Sequence, residues 1–156
     1  MVSMTRSSWL KISKRMDGMN KMGTRALYFF QDSDGVYGAY KHYDNYPSGA
    51  MWFIENAKEY AWPFPRFEAD DFAAGFVAAN KAKGGGECRL LRMFDDTSID
   101  MVMDDHIWCD YYYVIKYNRD IGDLHVTIFQ SEGCDTWEQI ASMPHQVMLK
   151  AYAVAS

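Results

Sequence analysis

The chain has 156 residues, of which 49% are hydrophobic and 24% charged, and a net charge of −5. That length supports one domain with one sizeable core, and no apolar run approaches the roughly 20 residues that a membrane-spanning helix requires. Cys88, Cys109 and Cys134 are odd in number and too dispersed for a disulfide framework, and no signal-peptide pattern follows the N-terminal basic residues, so the expected setting is the cytoplasm.

Charge divides the chain. Residues 1–25 hold six basic side chains and one acid, whereas residues 26–156 hold ten basic and twenty acidic ones. Affinity for nucleic acid comes mainly from clustered Lys and Arg, so the acidic body argues against that class of partner, and only the basic leader is suited to phosphate contacts. Within residues 1–21, Trp9, Ile12, Met16 and Met19 recur at helical spacing behind Ser7 and Ser8, which predicts either a short amphipathic helix or a flexible arm. Several Met residues, Met22 among them, offer later translation starts, so residues 1–21 are set apart from a single domain over residues 22–156. Their deletion is expected to leave folding intact.

From Thr24 the pattern is of the β type. Thr24 to Gln31 and Val36 to Tyr43 flank Asp32-Ser33-Asp34-Gly35, which predicts a hairpin. Asn45-Tyr46-Pro47-Ser48-Gly49 predicts a turn, with Ser48 as the cap of a helix that carries Phe53, Ala57, Tyr60 and Ala61 on one face and ends at Pro63 and Pro65. A second helix follows from the stripe Ala69, Phe72, Phe76 and Ala79, with acids at its start, lysines at its end and Gly84 as its stop. Alternation returns in Cys88 to Phe94, Asp110 to Tyr117, Leu124 to Gln130 and Trp137 to Ala141, which predicts an antiparallel meander. Gln146 to Val154 has helical composition behind Pro144. The expected fold class is α+β: an N-terminal β-hairpin, two central helices and a C-terminal antiparallel meander, forming one sheet with the helices on one face.

The hairpin and the turn after it are the richest in chemistry. A two- or four-residue hairpin loop sets Arg25 beside His42 or Asp44 and puts all three on one face. With Tyr46, Ser48 and Gly49 at the helix start, where free backbone amides favour anions, they form the expected ligand-binding set. The competing reading is a plain Arg25 to Asp44 salt bridge that fastens the hairpin. Asp104-Asp105-His106 with Cys109 and Asp110 offers metal-ligand chemistry at a spacing that fits no standard site, and adjacent acids in a loop before a strand are ordinarily solvated, so no metal is expected. Gly84-Gly85-Gly86 lacks the strand before it and the Lys-Ser or Lys-Thr after it that a phosphate loop needs. No nucleophile elbow and no cysteine in an electropositive setting occurs, and Cys88 is assigned to the core. Tyr111 and Tyr113 share a strand face, suited to stacking, to a subunit interface or, most simply, to burial under a helix.

Gly23-Thr24-Arg25-Ala26-Leu27 and Tyr40-Lys41-His42-Tyr43-Asp44-Asn45-Tyr46-Pro47-Ser48-Gly49 resemble a group of small phage and prophage proteins with a GTR start and a Y-x-x-x-DGYP-x-G segment. Asn45 stands where that group has glycine, and Asn is the next best residue for a left-handed backbone. The resemblance covers the first third of the body. It implies a mobile-element origin with Met22 as the ancestral start, and it transfers no catalytic residue. The expected function is a noncatalytic accessory protein that binds a host protein or a small, nucleotide-like anionic ligand, with no cofactor and no membrane, and with the 16% aromatic content suited to a binding surface or a homo-oligomer. The alternative is a small metal-dependent hydrolase or nuclease in which His42 acts as base or ligand and Asp44 orients it.

Overall fold

The computed structural model describes residues 24–83, 87–93, 98–133 and 136–155. The expectations for residues 1–21, for Gly84 to Gly86 and for Cys134 lie outside them. Strands β1 (Ala26–Gln31) and β2 (Val36–Lys41) come first, then helices α1 (Pro47–Ala57) and α2 (Ala69–Ala82). Strand β3 (Cys88–Leu91) and helix α3 (Ile99–Asp105) lead to β4 (Tyr111–Asn118), β5 (Asp123–Ser131), β6 (Trp137–Pro144) and α4 (His145–Ala155). One six-stranded sheet runs in the order β3-β2-β1-β4-β5-β6. The architecture is α+β, with an N-terminal hairpin, two central helices on one sheet face and a C-terminal β4 to β6 meander. Among the described residues no helix is long and apolar enough to cross a membrane.

Two pairings depart from simple alternation. Strand β3 lies outside the meander: it pairs antiparallel with β2 at the far edge, while β4 joins β1 in parallel. Hydrophobic period alone does not say which neighbour a strand takes. The position of β1 does explain its sequence, because Ala26 to Phe30 are fully buried on both faces, as the uninterrupted apolar run requires. Tyr28, Phe30, Tyr111, Tyr113 and Ile115 face α1, α2 and α4, where they meet Met51, Ile54, Phe72, Phe76 and Met148. Leu27, Phe29 and Tyr112 face the other way, against Val102, Met103 and Cys109 in and after α3. Helix α3 replaces the expected loop around Asp104 and Asp105. Ser98 caps it by accepting from the Met101 amide at 3.2 Å, and a seven-residue helix is too short to show a stripe.

Helix α1 also differs from expectation at both ends. Its N-cap is Tyr46, with Pro47 in the first turn, so Ser48 lies inside the helix and makes no side-chain cap. It stops at Ala57, well before Pro63, in tight turns that run from Lys58 to Glu55, Glu59 to Asn56 and Tyr60 to Ala57. Ala50, Met51, Ile54 and Ala57 make the buried face, and Tyr60 is exposed beyond the end. The α2 stripe of Ala69, Phe72, Phe76 and Ala79 is buried. Asp32 joins the hairpin to that helix: one carboxylate oxygen accepts from the Asp34 and Gly35 amides, and the other from Ala69 at 2.8 Å. Desolvation raises the Asp32 carboxyl, but these three amides outweigh it and hold the group below its ordinary value.

His145, at the start of α4, is fully buried. Its Nε2–H donates to the Met51 carbonyl at 3.0 Å, and its Nδ1 has no partner. Burial, and then the Lys58 charge, push the imidazole below its ordinary value, so the folded chain holds it neutral. The unfolded chain takes up this proton first, near pH 6.5, so the stability is fully present above that pH and is lost as pH falls towards the folded value. Each unit of depression contributes about 1.4 kcal/mol. Melting curves of the His145→Gln variant are expected to flatten in this window, and an unchanged slope would assign the effect elsewhere.

Candidate ligand site at the end of the hairpin

The hairpin loop has four residues, and the ladder from Gln31↔Val36 to Ala26↔Lys41 places Arg25 opposite His42, one step beyond its last pair. Both side chains therefore lie on the α3 face of the sheet with Leu27 and Tyr40. Arg25 is fixed through its backbone: its N–H donates to Asp110 Oδ2 at 3.1 Å, and its carbonyl accepts from the Asp110 and Tyr111 amides. Its guanidinium carbon lies 5.9 Å from the centre of the Trp108 ring.

The Tyr40 hydroxyl and His42 Nδ1 form a 2.6 Å hydrogen bond. Burial raises the Tyr40 phenol above its ordinary value despite the opposing Arg25 charge, so it keeps its proton at neutral pH. His42 Nε2 is the ring nitrogen that Tyr40 does not engage. Around this pair, Tyr43 meets the His42 ring edge-on at 4.4 Å, Trp108 meets Tyr40 at 5.5 Å, and the Arg89 guanidinium lies 5.5 Å from the Tyr40 ring. Tyr43 and Trp108 remain 47% and 49% exposed, which leaves aromatic surface open to solvent.

Of the other expected site residues, Asp44 follows the end of β2, and Tyr46, Ser48 and Gly49 belong to the start of α1. Regular alternation ends with β2, and Asp44 takes a left-handed φ of 62°. Its charge bears on Lys41 and Tyr46. Among the described residues no salt bridge joins Arg25 to Asp44, and His42 Nδ1 is bound to Tyr40. Tyr46 packs against the core beside the α1 start. The left-handed position in the segment is Asp44 and not Asn45, whose role is internal. Asn45 Nδ2 donates to the Thr24 and Lys41 carbonyls at 2.6 and 2.8 Å, and its Oδ1 accepts from Tyr28 at 2.6 Å.

Among the described residues no group of three His, Cys, Asp or Glu is placed to hold a metal. Asp104 and Asp105 close α3, and His106 Nδ1 lies 2.8 Å from the Val102 carbonyl of the same helix. Burial pushes the Cys88 and Cys109 thiols up to about 11 and about 12, so neither is a thiolate at neutral pH. Tyr111 and Tyr113 are fully buried under the helices and present no stacking surface. Sequence reading missed Trp108 and Arg89. They lie on separate elements that only β2–β3 pairing and the turn after α3 bring to Tyr40, and no local pattern signals that meeting. No family model matches the chain, and neither a curated protein nor a solved structure matches it.

Proposed function

We propose that the protein is a noncatalytic accessory protein of mobile-element type that binds a small, nucleotide-like anion at the Arg25 and His42 face. The observation that carries this reading is an arginine guanidinium and a hydrogen-bonded imidazole set beside two half-exposed aromatic rings, Tyr43 and Trp108. The guanidinium and His42 Nε2 suit a phosphate, and the rings suit a base. A binding role is favoured over hydrolysis because the partner of His42 is a phenol and not a carboxylate that would raise its basicity. The mobile-element origin rests on the resemblance of the Gly23 to Leu27 and Tyr40 to Gly49 segments.

Adenosine monophosphate is the probe, followed by tryptophan fluorescence. Binding should quench the signal in the wild type, Trp108→Leu should abolish most of the quench, and Arg25→Ala should weaken affinity about tenfold, the loss of one charge-assisted contact. An affinity for the nucleotide that Arg25→Ala leaves unchanged, or no saturable quench, would overturn the reading.

A further inference from the structure

The sheet face that α3 covers leaves a group of large apolar side chains in solvent. Met101, Ile107, Trp108 and Tyr43 are all exposed. They lie together: the Trp108 ring is 5.5 Å from Tyr40 and 5.5 Å from His106, and Tyr43 packs edge-on against His42, which is bound to Tyr40. Helix α3 buries Val102 and Met103, so Met101 lies on its outer side, shortly before the segment that carries Ile107 and Trp108. Apolar side chains scattered singly are ordinary on a surface, whereas a gathered group marks an interaction site.

Charges of both signs flank this apolar group. Asp104 and Asp105 follow Met101 at three and four residues and so share its side of α3, with Asp100 next to it, and all three acids are exposed. The cations come from the strand side: the Arg25 guanidinium lies 5.9 Å from the Trp108 ring, and the Arg89 guanidinium 5.5 Å from the Tyr40 ring. Among the described residues no ion pair joins either arginine to the α3 acids, and Arg89 makes only a 3.9 Å contact with Glu87. These opposite charges are therefore open to pairing from outside the chain.

A basic partner would meet the acids and leave the arginines unmatched, and an acidic one would do the reverse. A second copy of the chain supplies both signs. The net charge of −5 repels two copies at long range, so they can close only in a register that sets acid against arginine. We propose that this face is a self-association surface, which a second copy of the chain covers about a two-fold axis. Such an axis repeats every contact, so the α3 acids of either copy meet Arg25 and Arg89 of the other while Met101, Ile107 and Trp108 close the centre. The ion pairs set the register, and the apolar centre supplies most of the affinity. Arg25 and Trp108 also belong to the nucleotide reading, but association is measured without nucleotide, so either proposal can fail alone.

The test is sedimentation of the full chain over a range of concentrations, in low and in high salt. The wild type is expected to pass reversibly from monomer to dimer, with weaker association in high salt. Two charge reversals are made at exposed positions, where folding tolerates them: Asp104→Lys with Asp105→Lys in one variant, and Arg89→Glu in the other. Alone, each variant sets like charges together twice across the axis and should lose at least about tenfold in affinity. Mixed in equal amounts, the two should recover the wild-type affinity as a heterodimer, because the reversed positions then face opposite charges at both repeats of the contact. A wild type that stays monomeric would overturn the proposal, and so would variants that dimerise as well as the wild type. A wild-type dimer that the mixture does not restore would assign association to another surface and rule this one out. If a variant does not fold, hydrogen exchange of the wild type decides: the Met101 to Trp108 segment should gain protection as concentration rises, and protection gained only elsewhere would sink the idea.

Discussion

Asn45→Ala is expected to cost about 3–5 kcal/mol of folding stability, a large share of the 5–15 kcal/mol that holds a domain together. The substitution removes two donors and one acceptor from a fully buried position, leaving the Thr24 carbonyl, the Lys41 carbonyl and the Tyr28 hydroxyl without their partner. Each such loss costs about 1–3 kcal/mol where water does not enter. The site has little slack, because Tyr28 stacks on Tyr113 with ring centres 4.9 Å apart, and the Tyr113 hydroxyl donates to the Asn45 carbonyl. Urea melts should show the loss, and Tyr28→Phe combined with Asn45→Ala should cost less than the sum of the two, as members of one network do. Asn45→Asp keeps the shape but turns a carboxylate on two carbonyl oxygens, so its penalty should be larger at neutral pH and ease in acid. A loss below about 1 kcal/mol for Asn45→Ala would show that water replaces the amide.

Gly49→Ala should be the next most damaging of these changes, at about 2–3 kcal/mol. A methyl group there would lie 2.5 Å from the Asp44 carbonyl oxygen. That oxygen belongs to backbone at a left-handed turn, so relief requires moving the chain reversal between β2 and α1. Alanine's advantage over glycine within a helix, about 1 kcal/mol, acts in the opposite direction and is the smaller quantity. Gly35→Ala is the control: nothing lies within 4 Å of the added atom and φ is not left-handed, so its effect should stay within about 0.5 kcal/mol. Denaturant midpoints of the pair check the contrast, and equal costs would rule out the close approach as the cause.

How much the sequence discloses depends on how local the cause is. The α2 stripe, the hairpin turn and the central run of β1 each follow from residues that neighbour one another in the chain, and all are found where periodicity puts them. The same argument places Arg25 opposite His42, since register follows from loop length. It fails for Asp44, because alternation holds only while the strand lasts, and the backbone turns left-handed there. The start of α1 was masked by a local preference: serine is a common cap, but Pro47 already opens the helix one residue earlier. Asn45, Trp108 and Lys41 were illegible for a different reason. Their partners come from Thr24 and Tyr28, from Tyr40, and from Phe53, and only the assembled sheet and helices bring these within reach.

The parallel seam between β1 and β4 bears on how the chain reaches this structure. The Arg25 amide and the Asp110 carboxylate are 85 positions apart along the chain, whereas β1 and β2 close through four residues and β4, β5 and β6 succeed one another by short turns. Closing a segment that long costs about 4 kcal/mol in chain entropy beyond a constant, and nothing is recovered until the strands meet. Each half of the sheet has its own short-range pairings to form first, the hairpin on one side and the meander on the other. The encounter of the two half-sheets is therefore the expected slow step, a non-local one that should make folding slower than that of helical bundles, as stopped-flow refolding would show.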